Sequence, residues 1–157
     1  MFPPKSDAQL GERVFFSADV CKLASVSLRQ LQWWDERKLV SPQKQDHRRL
    51  YKPPQVLEVL TVAALRRKGM SLQKIRKVLR LMRAELGKRS TAGAPNPSRL
   101  YLITDGKSVQ FEESADRTLN YLADTGAPMF LVSLSDHLKR IAAAKTRRYV
   151  TKQLPLF

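Results

Sequence analysis

The sequence predicts a mainly α fold followed by a small α+β unit, and three observations carry that prediction. Ser17 and Ser27 each open a short segment with the residue pattern of a helix start, and only Ala24-Ser25-Val26 separates the two. Pro53-Pro54 and Ser71 open two longer segments whose apolar residues recur at helical spacing. From Gly87 a stretch rich in Gly, Pro, Ser, Thr and Ala gives way to strand-like runs separated by helical ones.

The elements follow in order. Residues 1–13, with two prolines and few apolar side chains, read as a loose arm, and structure is expected from Val14. Phe16-Ser17 has the form of a staple residue and an N-cap, with Asp19 suited to the positive end of a helix running from Ala18 to about Leu23. Ser27 with Gln30 makes a capping-box pattern for a second helix reaching about Lys38. This is the spacing of a helix-turn-helix. Ser41-Pro42 stops the second helix, and Gln43 to Lys52, polar and basic without a helical period, reads as an extended hairpin-like excursion. Leu57, Leu60 and Ala64 mark a third helix ending at Gly69. Leu72, Ile75, Leu79, Met82 and Leu86 mark one face of a fourth, opposite Lys74, Arg76, Lys77, Arg80 and Arg83.

Residues 14–86 therefore form one domain, 87–98 a linker, 99–145 a small α+β unit for dimerisation or partner contact, and 146–157 a basic tail with an apolar end. Within 99–145, Leu100–Thr104 and Val109–Glu112 flank Asp105-Gly106, a tight-turn dipeptide. Ser114 caps a helix to about Ala123, Met129–Leu134 is a third strand-like run, and Ser135 caps a last helix to about Lys145.

The most informative number is a formal charge of +15. Such an excess of Lys and Arg attracts phosphate polyanions through counterion release, with acidic lipid as the second candidate. Residues 1–87 hold 18 basic and 8 acidic side chains, a net +10, against +5 for the remainder. No apolar run approaches the roughly 18 residues of a membrane span, and the amino terminus lacks a basic segment followed by an apolar stretch. A cytoplasmic protein with no membrane association is expected. The single cysteine, Cys21, excludes an internal disulfide and a cysteine metal site, so neither metal nor cofactor is expected.

On a helical wheel, Leu31, Trp34 and Lys38 fall on one side of the second helix and Arg29, Gln30, Trp33 and Arg37 on the other. Arg29 and Gln30 near its start have the chemistry to pair with the major-groove edges of guanine and adenine. Taken alone, the helix is equally a solvated basic face. Its surroundings decide: Ser27-Leu28-Arg29-Gln30-Leu31-Gln32-Trp33-Trp34-Asp35, then Leu39-Val40-Ser41-Pro42, then Arg49-Leu50-Tyr51, and later Gly69-Met70-Ser71-Leu72-Gln73-Lys74-Ile75, resemble the MerR family in order and spacing.

The resemblance covers about Phe15 to Leu86 and implies a four-helix winged helix-turn-helix that binds double-stranded DNA. It places the second helix in the major groove, with Ser27, Arg29, Gln30, Gln32, Trp33 and Arg37 at the interface, and the following loop on the adjacent backbone as a wing. It implies that Arg49 and Tyr51 contact phosphate, to which His47 and Arg48 add charge. Gln32 stands where arginine is usual, and Trp33-Trp34 where tyrosines are more frequent, so operator sequence does not transfer from relatives. Family members usually continue into a long helix that pairs antiparallel with its copy. Gly87 and the linker are expected to break that continuation, leaving a homodimer to form through the strand edges of residues 99–145.

Ser135, Asp136 and His137 have the residue types of a hydrolase triad, but consecutive helical residues diverge and cannot relay a proton. No phosphate-binding glycine loop or metal spacing is present in the sequence, and an enzyme is not expected. Gln153, Leu154, Leu156 and Phe157 resemble the glutamine-leucine-x-leucine-phenylalanine peptide that docks bacterial replication and repair proteins on the sliding clamp. The plainer reading tucks these apolar side chains against the chain's own second unit. Two functions follow: a sequence-specific DNA-binding transcriptional regulator, or an architectural or replication-linked DNA-binding protein that recruits the clamp.

Overall fold

In the computed structural model, residues 13–91, 93 and 99–144 are described. The chain folds as two compact units, one comprising the described residues up to Val59 and from Arg140 onward, the other Leu60–Lys139. The division falls inside the third helix and not in the Gly/Pro-rich stretch, because the fourth helix packs with the carboxy-terminal strands.

The first unit begins with a strand, β1 (Phe15–Phe16), and runs into α1 (Ser17–Ala24). Ser17 is thus the first helical residue and not the cap expected from sequence. The cap contact comes instead from Asp19, whose Oδ2 accepts the Phe16 amide at 3.0 Å. Ser25 takes a left-handed conformation, φ 56°, and turns the chain into α2 (Leu28–Glu36). Ser27 caps α2 as predicted, its Oγ accepting the Gln30 amide at 3.0 Å. The helix stops two residues short of Lys38, which turns left-handed at φ 58°. Leu39 N then donates to Trp34 O and Lys38 N to Asp35 O, the paired bonds that close a helix carboxy terminus.

The polar excursion is a hairpin of β2 (Gln43–Gln45) and β3 (Arg48–Tyr51). Asp46 and His47 form its two-residue turn with both φ angles positive, 52° and 64°, as tight hairpins require. Pairing Phe15 with Tyr51 and Phe16 with Leu50 adds β1 as a third strand, in the order β1-β3-β2. Val20, Ala24, Leu31, Trp34, Leu39, Val40, Leu50 and Tyr51 are buried. Helix α3 (Pro53–Arg67) leaves this unit with Pro53 as its first residue, where a missing amide costs nothing.

In the second unit, α4 (Leu72–Thr91) buries Ile75, Val78, Leu79 and Met82. It runs through Gly87, contrary to the break expected there. A helical glycine costs about 1 kcal/mol relative to alanine. Two residues on, Arg89 reaches Glu85 at 3.2 Å and Glu113 at 2.5 Å and lies 5.8 Å from the centroid of Phe111, tying the end of the helix to the sheet. The sheet orders β5 (Val109–Glu112), β4 (Tyr101–Thr104) and β6 (Phe130–Ser133), all antiparallel, with β4 central. Helices α5 (Ala115–Thr125) and α6 (Leu134–Ala143) complete it.

The connection between β4 and β5 is residues 105–108, as the expected strand bounds imply, and Asp105 Oδ1 accepts from the Lys107 and Ser108 amides within it. Those amides, Ser108 first, hold the Asp105 carboxyl below its ordinary pKa. Ser135 is not a cap but a buried residue of α6, whose Oγ accepts the Leu100 amide at 3.1 Å. Ser133 Oγ accepts the Asp136 amide in its place, at 3.3 Å.

Candidate nucleic-acid interface

Helix α2 sorts its residues as its periodicity predicts, except at Lys38, which the helical wheel places on the inner side but which lies beyond the helix end and is exposed. Leu31 and Trp34 are buried, while Arg29, Gln30, Trp33 and Arg37 are exposed and Gln32 is half-buried. Trp33 is 40% exposed against 1% for Trp34, so the adjacent tryptophans do different work. The Arg37 guanidinium lies 4.9 Å from the centroid of the Trp33 ring, joining a cation and an aromatic plane on one surface. Ser27 is exposed at the start of the helix, its oxygen already accepting in the cap.

The hairpin is joined to α2 through Asp35. Its side chain is only 6% exposed, and Oδ2 accepts from Arg49 Nε at 2.6 Å and lies 3.5 Å from Lys44 Nζ. Lys44 and Arg49 face each other across the β2–β3 register, so one carboxylate grips both strands of the wing from the helix beside it. A buried carboxylate requires such partners, and a bond to a charged donor is among the stronger ones. Sequence reading missed Asp35. The signal was an acid next to Trp34 on the inner side of the helix, followed by a hairpin rich in basic residues.

The wing residues separate into two groups. His47 and Arg48 are exposed at and beside the turn, and Arg48 lies 5.3 Å from the centroid of Phe16, the lead-in residue to α1. Arg49 is partly buried against Asp35. Tyr51 is fully buried, and its hydroxyl makes no hydrogen bond among the described residues. Phosphate contact by Tyr51 is therefore corrected: its ring is buried in the core, as is its neighbour Leu50, on the strand segment that pairs with Phe15-Phe16. Burial, with the Asp35 charge adding to it, raises the Tyr51 pKa above the ordinary phenol value. Burial likewise raises that of the Cys21 thiol, which disfavours the reactive thiolate.

An unpaired buried hydroxyl carries a desolvation cost of about 1–3 kcal/mol. Tyr51→Phe is accordingly expected to raise stability by about 1 kcal/mol in a urea melt and to leave DNA affinity unchanged. A loss in both measurements would restore a phosphate contact. Gln153, Leu154, Leu156 and Phe157 lie outside the described residues.

Two short helices in a tight turn, followed by a wing locked to the second of them, define a winged helix-turn-helix DNA-binding domain. Residues 17–81 match the model described as MerR HTH family regulatory protein, and this stretch is a MerR-family helix-turn-helix domain. At the level of that family the domain is that of a DNA-binding regulator of transcription. No curated protein matches the chain. Among the described residues, no helix is long and apolar enough to cross a membrane.

Proposed function

We propose that the protein is a sequence-specific transcriptional regulator that reads duplex DNA with α2 and holds the flanking backbone with the β2–β3 wing. The observation that carries this reading is the Asp35 bridge, which fixes the wing to α2 while Arg29, Gln30, Trp33 and Arg37 stay exposed. Arg29 and Gln30 at the helix start supply base-edge donors and acceptors, and Arg48 and His47 supply charge to phosphate. Arg49 serves the backbone grip chiefly by keeping the wing in place.

A regulator of this kind prefers its own site over random duplex by roughly a thousandfold or more, whereas an architectural protein discriminates far less. Selection of bound sequences from a random pool, followed by titration of the winner and of random duplex, measures that ratio. Arg29→Ala is expected to relax preference at one base pair, at about 1–3 kcal/mol of discrimination. Arg48→Ala is expected to weaken binding to every sequence and lower the log–log salt slope by about one. Equal behaviour of the two variants would refute the assignment of roles.

Half-sites on DNA call for a twofold protein, and the strand edges of the second unit support one. The sheet ends on β5 and β6, and Lys68 Nζ donates to the Leu131 carbonyl of β6 at 2.5 Å, so β5 is the edge better placed to pair with its copy. Sedimentation of a monomer at micromolar concentration, with and without operator, would sink the homodimer. The Gln153–Phe157 peptide adds clamp recruitment as a second partner. Binding to a sliding clamp should vanish when those five residues are deleted.

A further inference from the structure

The exposed face of α4 carries Lys74, Arg76, Lys77, Arg80, Arg83 and Lys88 and no carboxylate. The only acid in the helix, Glu85, is half-buried and paired with Arg89. Helical register arranges the six cations in two rows, Arg76, Arg80 and Arg83 along one and Lys74, Lys77 and Lys88 along the other. Between the rows lie Gln73 and Ala84, both uncharged, while the small Gly87 falls within the arginine row. From Lys74 to Lys88 the rows extend about 21 Å.

Like charges at these spacings repel by a few tenths of a kcal/mol per pair, so the helix sustains an arrangement that opposes its own formation. The second unit holds it in place at both ends. At the start, the stem of Lys74 packs on Gly106, where an added Cβ would come within 2.8 Å of Lys74 Cδ. At the far end, Arg89 is tied to Glu113 and lies near Phe111. Two cationic rows fixed on a rigid helix, with a shallow uncharged strip between them, complement a phosphodiester strand, which carries one charge about every 3.4 Å of axis. An anionic bilayer offers mobile single charges and no such linear repeat.

We propose that the exposed face of α4 is a second, sequence-independent seat for the phosphodiester backbone of duplex DNA. It is distinct from α2 and the wing and does not rest on their reading. The test uses the full chain with the substitutions K77Q/R80Q/K88Q, which remove charge, keep helix propensity and leave Arg76 and Arg83 in place. Fluorescence anisotropy on a random-sequence duplex of about 40 base pairs, across a salt series, should show the log–log slope falling by about 2 to 3, at close to 0.9 per lost contact. Affinity near 0.1 M salt should fall on the order of a hundredfold.

K77Q and R80Q singly should each lower the slope by about one, which keeps the result readable if the triple variant folds poorly. An unchanged slope in all three variants overturns the proposal and leaves the α2-and-wing reading standing. Loss of binding to phosphatidylserine vesicles with duplex binding intact overturns it in favour of a lipid. A slope that falls while preference for the selected site survives supports the seat, whatever Arg29→Ala shows.

Discussion

Truncating Trp34 to alanine is expected to lower the unfolding free energy by about 3 to 5 kcal/mol, the usual cost of removing a large aromatic side chain from a core that cannot collapse around the void. Trp34 is 1% exposed on the inner face of α2, in a unit that also buries Leu31, Leu39, Leu50 and Tyr51. Its carbonyl accepts the Leu39 amide that ends the helix, so the same residue anchors the side-chain packing and the backbone exit. Chemical denaturation monitored by far-ultraviolet circular dichroism measures the loss. Trp33→Ala, one residue away on the exposed face, should cost less than about 1 kcal/mol of stability and act on DNA binding instead. Comparable destabilisation by the two would mean that the helix is rotated from the orientation described.

Asp35→Ala is expected to destabilise by about 1 to 3 kcal/mol and to weaken binding to every DNA sequence. Removing one partner from a fully buried pair typically costs 3–5 kcal/mol, but Arg49 is about a quarter exposed and Lys44 is 64% exposed, so water takes up part of the lost contact. The effect on binding is indirect, because Asp35 would repel phosphate and cannot bind it. It acts by holding Lys44 and Arg49, and thus the wing, against α2. A double-mutant cycle of Asp35→Ala with Arg49→Ala isolates the coupling. A value below about 0.3 kcal/mol would show that the hairpin keeps its position without the bridge. Asp35→Asn, which retains an acceptor oxygen without the charge, should fall between wild type and Asp35→Ala.

Elements set by local chemistry are legible in the sequence. Ser27 caps α2, Ser71 Oγ accepts the Lys74 amide at the start of α4, and Ser114 Oγ accepts the Arg117 amide at the start of α5, all as their spacing predicted. The division of Trp33 from Trp34 followed from helical period alone. What escaped depends on pairing across the chain. Phe15-Phe16 are strand-favouring types but too short a run to show alternation, and they become β1 through their register with Leu50 and Tyr51. Gly87 has poor helix propensity, yet α4 passes through it to Arg89, whose contacts with Glu113 and Phe111 lie far along the chain and leave no local trace. The family resemblance assigns Tyr51 to phosphate, and nothing local to Arg49-Leu50-Tyr51 shows that its ring would be buried with Leu50. Lys38 ends α2 in a left-handed conformation that most side chains avoid, so composition gave no warning of it.

The three-strand order of the wing sheet sets a boundary for protein engineering. Residues 43–51 look like a transferable module, a short basic loop that could be moved into another scaffold to add affinity for DNA. They are not self-sufficient, since β3 is the middle strand and its other neighbour comes from Phe15-Phe16, nearly thirty residues upstream. A graft of the hairpin alone would expose Leu50 and Tyr51 and leave the Arg49 guanidinium without its carboxylate. A portable piece must therefore reach at least from Phe15 to Tyr51, with the reading helix carried inside it.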